Sequence, residues 1–188
     1  RIRPGRVENG LFSSLDWFPT MLAAAGNSNI VEQLKKGATL GDRTYKNHLD
    51  SYNQMEMITG KGPSARHEIF YFGESSLGAV RVDDFKYRFI DQPKGWVGGK
   101  VHVDAPTLTN LRLDPFERLG WPENGTLDGA QEYFGWFQYE FWRYVFVQQE
   151  VEKLVMTAIE YPPMQKGASF NLEAVKAKTA EAMAAHAR

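Results

Sequence analysis

The sequence predicts an α+β fold: a small antiparallel four-stranded sheet with helices packed on it, preceded by a strand–helix unit. Three observations carry that prediction. Residues 66–115 alternate short β-type runs with turns, residues before 40 carry helix start and stop signals in the right order, and the aromatic-rich stretch Gln131 to Tyr161 contains no proline.

Taken in order, Pro4-Gly5-Arg6-Val7 reads as a turn leading to Leu11 and Leu15, where a short buried strand is expected. Asp16 stands where its carboxylate can accept hydrogen bonds from the free N–H groups of a helix start. Pro19 falls in the first turn, where its missing N–H forfeits no intrahelical bond, and Gly26 can take the left-handed conformation that stops a helix. A helix is therefore placed from about Trp17 to Ala25. A second runs from Asn29 to Lys36 and is ended by Gly37. Residues 41–65 are polar and rich in Gly, Asn and Asp, so they read as a mostly irregular connector between a first part, 1–40, and a C-terminal subdomain, 66–188.

In that subdomain four runs have strand character: Glu68 to Gly73, Gly78 to Val82, Lys86 to Ile90 and Thr107 to Leu113. Asp83-Asp84 lies between two of them and reads as a tight connection rather than a cation site. The Gly-rich segment Pro93 to Lys100 lacks the strand-to-helix setting and the G-K-[ST] ending of a phosphate cradle, so it is expected as a hairpin tip. Asn124-Gly125-Thr126 fits a glycosylation sequon but reads equally as a turn.

The last third is helical. From Gln131 to Tyr161 one stretch, with room for a kink, is stopped by Pro162-Pro163. Between Tyr133 and Phe146 it carries nine aromatic residues on nearly every side, which calls for burial on more than one face. Glu132, Glu140 and Arg143 interrupt it, and it is too short in apolar length for a membrane span. Asn171 is placed to cap a final Ala-rich helix, 171–187 with its cap.

Composition narrows function by exclusion. The 22 Lys and Arg against 23 Asp and Glu leave a net charge of −1, which gives no footprint for nucleic acid. The absence of cysteine excludes disulfides and thiolate metal sites. His48, His67, His102 and His186 show no short ligand spacing, so no metal site is expected.

The motifs that remain form a resemblance. Ser14-Leu15-Asp16-Trp17-Phe18-Pro19-Thr20, followed by Ala25-Gly26, looks like the D-x-x-P-T…A-G element of sulfatases. Tyr45-Lys46-Asn47-His48-Leu49-Asp50, Thr59-Gly60-Lys61-Gly62-Pro63-Ser64-Ala65-Arg66, Glu68 to Phe72 and Gly78 to Phe89 are similar in order and spacing to the C-terminal part of bacterial arylsulfatases, of the alkaline phosphatase superfamily. Leu111 to Arg118 matches their L-Y-D-L-x-x-D-P-x-E ending. One departure is Ser51, where the pattern has Gly, so the local turn is expected to differ.

The resemblance implies that residues 1–40 are the end of the large α/β sulfatase domain and that 66–188 form the smaller subdomain, a four-stranded sheet with a helix on one face. It also implies a hydrolase of sulfate esters that binds calcium and attacks with formylglycine hydrate. This chain holds neither: there is no C-x-P-x-R or S-x-P-x-R segment, and Pro63-Ser64-Ala65-Arg66 has the wrong spacing. Hence no catalytic residue and no cofactor is expected here, and the chain alone is expected to be inactive, its partner being the missing N-terminal catalytic portion. The family's connector runs near the active-site mouth, so His48 and Lys46 are substrate-binding candidates, and Trp96 is a third, able to stack on an aromatic or sugar group or simply to pack on the sheet. The resemblance allows a periplasmic or secreted parent, and a phosphate or phosphonate ester hydrolase of the same superfamily is a second possibility. A different class also fits: a stand-alone binding or oligomerisation module, in which apolar surface is covered by a homo-oligomer.

Overall fold

The computed structural model describes residues 2–73, 76–92, 94–95, 97–118 and 130–162. The chain divides into two compact units, Arg1–His67 and Glu68–Arg188.

The first unit is built from short helices and one hairpin. A 3-10 turn, Ser14–Asp16, passes directly into α1, Trp17–Ala24, followed by α2, Ile30–Lys36. Ser13 caps the turn, accepting from Leu15 N–H, while Asp16 reaches back to Ser13 N–H. Residues 2–13 form no strand, which corrects the expected strand at Leu11 to Leu15. The reason lies in the hydrogen bonds: Leu11 C=O accepts from the Ser64 hydroxyl at 2.6 Å instead of from a sheet neighbour. Helix α1 ends as expected, with Gly26 at φ 105°, Gly26 N–H bonded to Ala23 C=O and Asn27 N–H to Leu22 C=O.

The expected irregular connector holds more structure than its composition indicates. Strands β1, Ala38–Leu40, and β2, Arg43–Tyr45, form an antiparallel hairpin whose Thr39 and Thr44 hydroxyls meet at 3.0 Å. Helix α3, Met55–Thr59, follows and is stopped by Gly60 in the left-handed conformation at φ 76°. A hairpin turn at Gly41-Asp42 and a five-residue helix are both too short to leave a periodic signature.

The second unit is the expected four-stranded antiparallel sheet, β3-β4-β5-β6. Its strands are β3, Glu68–Gly73, β4, Ser76–Val82, β5, Phe85–Asp91, and β6, Val101–Asn110. Asp83 and Asp84 make the β4–β5 turn, with Asp83 at φ 49°, a conformation that Asp tolerates better than most residues. Strand β6 begins earlier and ends earlier than the expected Thr107 to Leu113. Val101 and His102 pair with Asp91 and Ile90 past an irregularity near Phe89, and Leu111 instead donates its N–H to Asp84 C=O.

Alternation puts Val80, Tyr87 and Leu108 on one face, where α4, Ala130–Glu140, and α5, Arg143–Glu160, supply Tyr133, Phe137 and Val147 to the core. The expected kink is a break at Phe141-Trp142. The other face carries Lys86 and Arg88, two residues apart on β5 and both held by Glu117. The expected final helix, 171–187, the Asn124 turn and Trp96 lie outside the described residues.

Among the described residues strand β6 is an edge, and tyrosines close it. The Tyr133 hydroxyl accepts from Leu108 N–H at 2.9 Å and donates to Leu108 C=O at 3.1 Å, while Tyr144 donates to Pro106 C=O. Pro106, with no N–H, sits where its missing donor breaks no ladder bond. Burial pushes both phenols above their ordinary range, so they remain neutral donors. Tyr133→Phe leaves a buried N–H and C=O without partners and is expected to cost about 1–3 kcal/mol, read as a lower urea midpoint.

Candidate functional site

Two of the motifs far apart in sequence meet in the first unit. Asp16, fully buried, forms a bidentate pair with Arg66, Oδ2 accepting from Nε at 2.8 Å and Oδ1 from Nη2 at 2.6 Å. The same carboxylate accepts from Ser13 N–H at 3.0 Å, Tyr52 N–H at 2.8 Å and the Gln54 amide at 3.3 Å. Arg66 also donates to Asp50 C=O at 2.9 Å and stacks over the Tyr52 ring.

Gln54 extends the network. Its Nε2 donates to the Ser64 hydroxyl at 3.1 Å, its Oε1 accepts from Ala65 N–H at 3.0 Å, and its own N–H bonds the Thr20 hydroxyl at 2.9 Å. Thus Asp16 and Thr20 of D-x-x-P-T, and Ser64 and Arg66 of G-P-S-A-R, grip the segment Asp50 to Gln54 from both sides. Asp16 gives α1 itself no side-chain cap, which corrects the expected helix cap; it accepts from Ser13 N–H in the capping box of the preceding 3-10 turn, and its other bonds go to the connector and Arg66. Ser51, where the family pattern has Gly, is buried here and has no positive φ, so a side chain is accommodated without backbone strain.

The electrostatics follow from this geometry. Burial alone would raise the Asp16 carboxyl, but the Arg66 guanidinium and the Ser13 and Tyr52 N–H groups outweigh it and hold the group below its ordinary value. With its lone pairs taken up by donors, Asp16 is a fixed anion and not a proton acceptor.

The expected substrate-binding residues sit beside this clamp. His48 is half-buried, its Nε2 3.3 Å from Asp50 Oδ1, and the same Asp50 offers its carbonyl to Arg66. Lys46 is exposed, just beyond β2, and Asn47 N–H between them bonds Leu34 C=O at 3.0 Å. Lys46 and His48 are therefore close along one anchored segment, whereas Trp96 lies outside the described residues. A cation and a carboxylate-paired imidazole on one segment suit contact with an anionic group. Among the described residues no three His, Cys, Asp or Glu side chains come together to hold a metal ion. No helix among the described residues is long and apolar enough to cross a membrane.

Asp16, Gln54, Ser64 and Arg66 as a connected set were not legible in the sequence, because no local spacing joins residues up to 50 apart. The only signal was that Asp16, Ser64 and Arg66 fall inside the motifs that carried the resemblance.

No protein-family profile matches the sequence, and no curated protein matches it. Among solved structures, the chain is similar to the PsFucS1 sulfatase from Pseudoalteromonas sp., with a TM-score of 0.58 and 22% identity over 87% of this chain. The match covers 29% of that protein's length. The chain has a sulfatase-like fold over that span.

Proposed function

We propose that this chain is the C-terminal portion of a sulfatase acting on sulfate esters of the aryl type. The observation that carries the reading is the sulfatase-like fold across 87% of the chain. In this reading the nucleophile and the metal ligands lie in the remainder of the enzyme, and this portion contributes binding and support.

The role of the clamp is positional. Asp16, Arg66 and Gln54 fix the backbone from Asp50 to Gln54, and the segment running back through His48 to Lys46 faces the sulfate ester or its leaving group. Lys46 supplies positive charge, and His48, oriented by Asp50, supplies a hydrogen bond to the bound ester.

The test is hydrolysis of 4-nitrophenyl sulfate. The isolated chain is expected to be silent, and the chain mixed with or fused to the preceding portion, with calcium present and the nucleophile matured, is expected to hydrolyse the ester. Lys46→Ala in that assembly is expected to raise KM by about tenfold, the scale of one charge-assisted contact, with little change in kcat. Turnover by the isolated chain would overturn the reading, as would an assembly that cleaves phosphate or phosphonate esters but no sulfate ester.

A further inference from the structure

We propose that the outer face of α1, formed by Trp17, Phe18, Met21, Ala24 and Ala25, is the surface on which the preceding, catalytic portion of the same enzyme packs. The inference rests on the sulfatase reading for the existence of that portion, and it deepens that reading by naming the face that receives it.

Helix α1 is amphipathic in the reverse of the usual sense. A surface helix turns its apolar stripe to the core and its polar residues to water. Here the polar groups point inward: Asp16, at the entrance to the helix, and Thr20 are 0% and 2% exposed and are bonded to the connector, Asp16 accepting from Tyr52 N–H and Thr20 from Gln54 N–H. Trp17, Phe18 and Met21 are left in water at 47%, 51% and 58% exposure, and Ala24 and Ala25 are exposed beside them. Steps of three and four residues join Trp17 to Met21 and Ala24, and Phe18 to Met21 and Ala25, so all five lie on one side of the helix. No charged residue occurs between Asp16 and Glu32 to solvate that side.

Two observations select the preceding portion as the occupant. The first is extent: the sulfatase-like span corresponds to 29% of the length of the similar enzyme, so most of such a fold lies outside this chain. The second is continuity. Residues 2–13 form no helix or strand and run directly into the 3-10 turn and α1, and the Phe12 ring of that segment meets the Trp17 ring at 4.8 Å. Polypeptide that precedes the segment is therefore tethered to the patch itself. Ile2 and Val7, on the same segment, are 60% and 80% exposed and extend the uncovered apolar surface toward it. A tethered partner meets the face at an effective concentration of millimolar order, so a patch smaller than two free proteins need is sufficient.

Oxidation of methionine by hydrogen peroxide, read by peptide mass spectrometry, tests this, because a thioether reacts according to its exposure. Within the isolated chain Met156, 40% exposed, and Met57, 3% exposed, are the open and closed references. Met21 is expected to react at least as fast as Met156 in the isolated chain, and to slow to the rate of Met57 in the enzyme that includes the preceding portion. Phe18→Asp is expected to lower the urea midpoint of that longer enzyme by more than it lowers that of the isolated chain, and equal shifts would overturn the inference. Met21 as reactive in the longer enzyme as in the isolated chain also overturns it, even where that enzyme cleaves a sulfate ester. Protection already present in the isolated chain, or lost on dilution of the longer enzyme, overturns it as well, because a second copy then covers the face. A longer enzyme that protects Met21 at every dilution but cleaves only phosphate or phosphonate esters overturns the sulfatase reading and upholds the packing face.

Discussion

Asp16→Ala is expected to destabilise the first unit by about 3–5 kcal/mol, the loss seen when one partner of a buried ion pair is removed. That is a large part of the 5–15 kcal/mol that ordinary domains possess. The mechanism is the stranding of Arg66, 4% exposed, together with the Ser13 and Tyr52 N–H groups that Asp16 now satisfies. Replacing both charges by apolar residues should not restore stability, because those backbone donors would still be left without an acceptor. Urea unfolding with hydrogen exchange at residues 13–66 measures the effect, and a loss under about 1 kcal/mol would show that the network is dispensable.

The same carboxylate sets a pH dependence whose sign can be stated. Its folded form favours the anion more than the unfolded chain does, so its contribution is complete above the ordinary carboxylate range and is lost as pH falls through that range and below it. The urea midpoint of the native chain should therefore drop below about pH 4, and Asp16→Ala should lack that component.

The sheet was legible because its strands obey local rules. Glu68 to Gly73 is bounded by turn residues and rich in aromatics, and it is β3 to the residue. Asp83-Asp84 gave the turn between β4 and β5 through side chains that suit left-handed backbone. Strand β6 was misplaced because Pro106 and the Gly-rich stretch before it argue against a strand, and only the edge position, with Tyr144 taking the Pro106 carbonyl, makes that proline acceptable. In the first unit local reasoning went further astray. A lone Asp before a helix is most often a cap, but Asp16 answers to Arg66, and that pairing exists only in three dimensions. His48 and Lys46 were found through resemblance, and their anchoring by Asp50 and Asn47 emerged only from the fold.

Leu108→Ala carries the second large effect, about 2–5 kcal/mol from the second unit. Leu108 is fully buried among Val80, Tyr87, Tyr133, Phe137 and Val147, on a strand that has a sheet neighbour on one side only. Truncation opens a cavity against α4 and α5, and among the described residues β6 has no second neighbouring strand to relax into it. The effect should also couple to Tyr133, since both backbone groups of Leu108 are bonded to that hydroxyl. Removing the side chain loosens the strand that holds the phenol, so Tyr133→Phe should cost less in the Leu108→Ala background than in the native chain. A double-mutant cycle in urea is expected to give an interaction of about 0.5–3 kcal/mol. Additivity within ~0.3 kcal/mol would mean that the edge seal and the core act separately, and that β6 is held by its ladder to β5 alone.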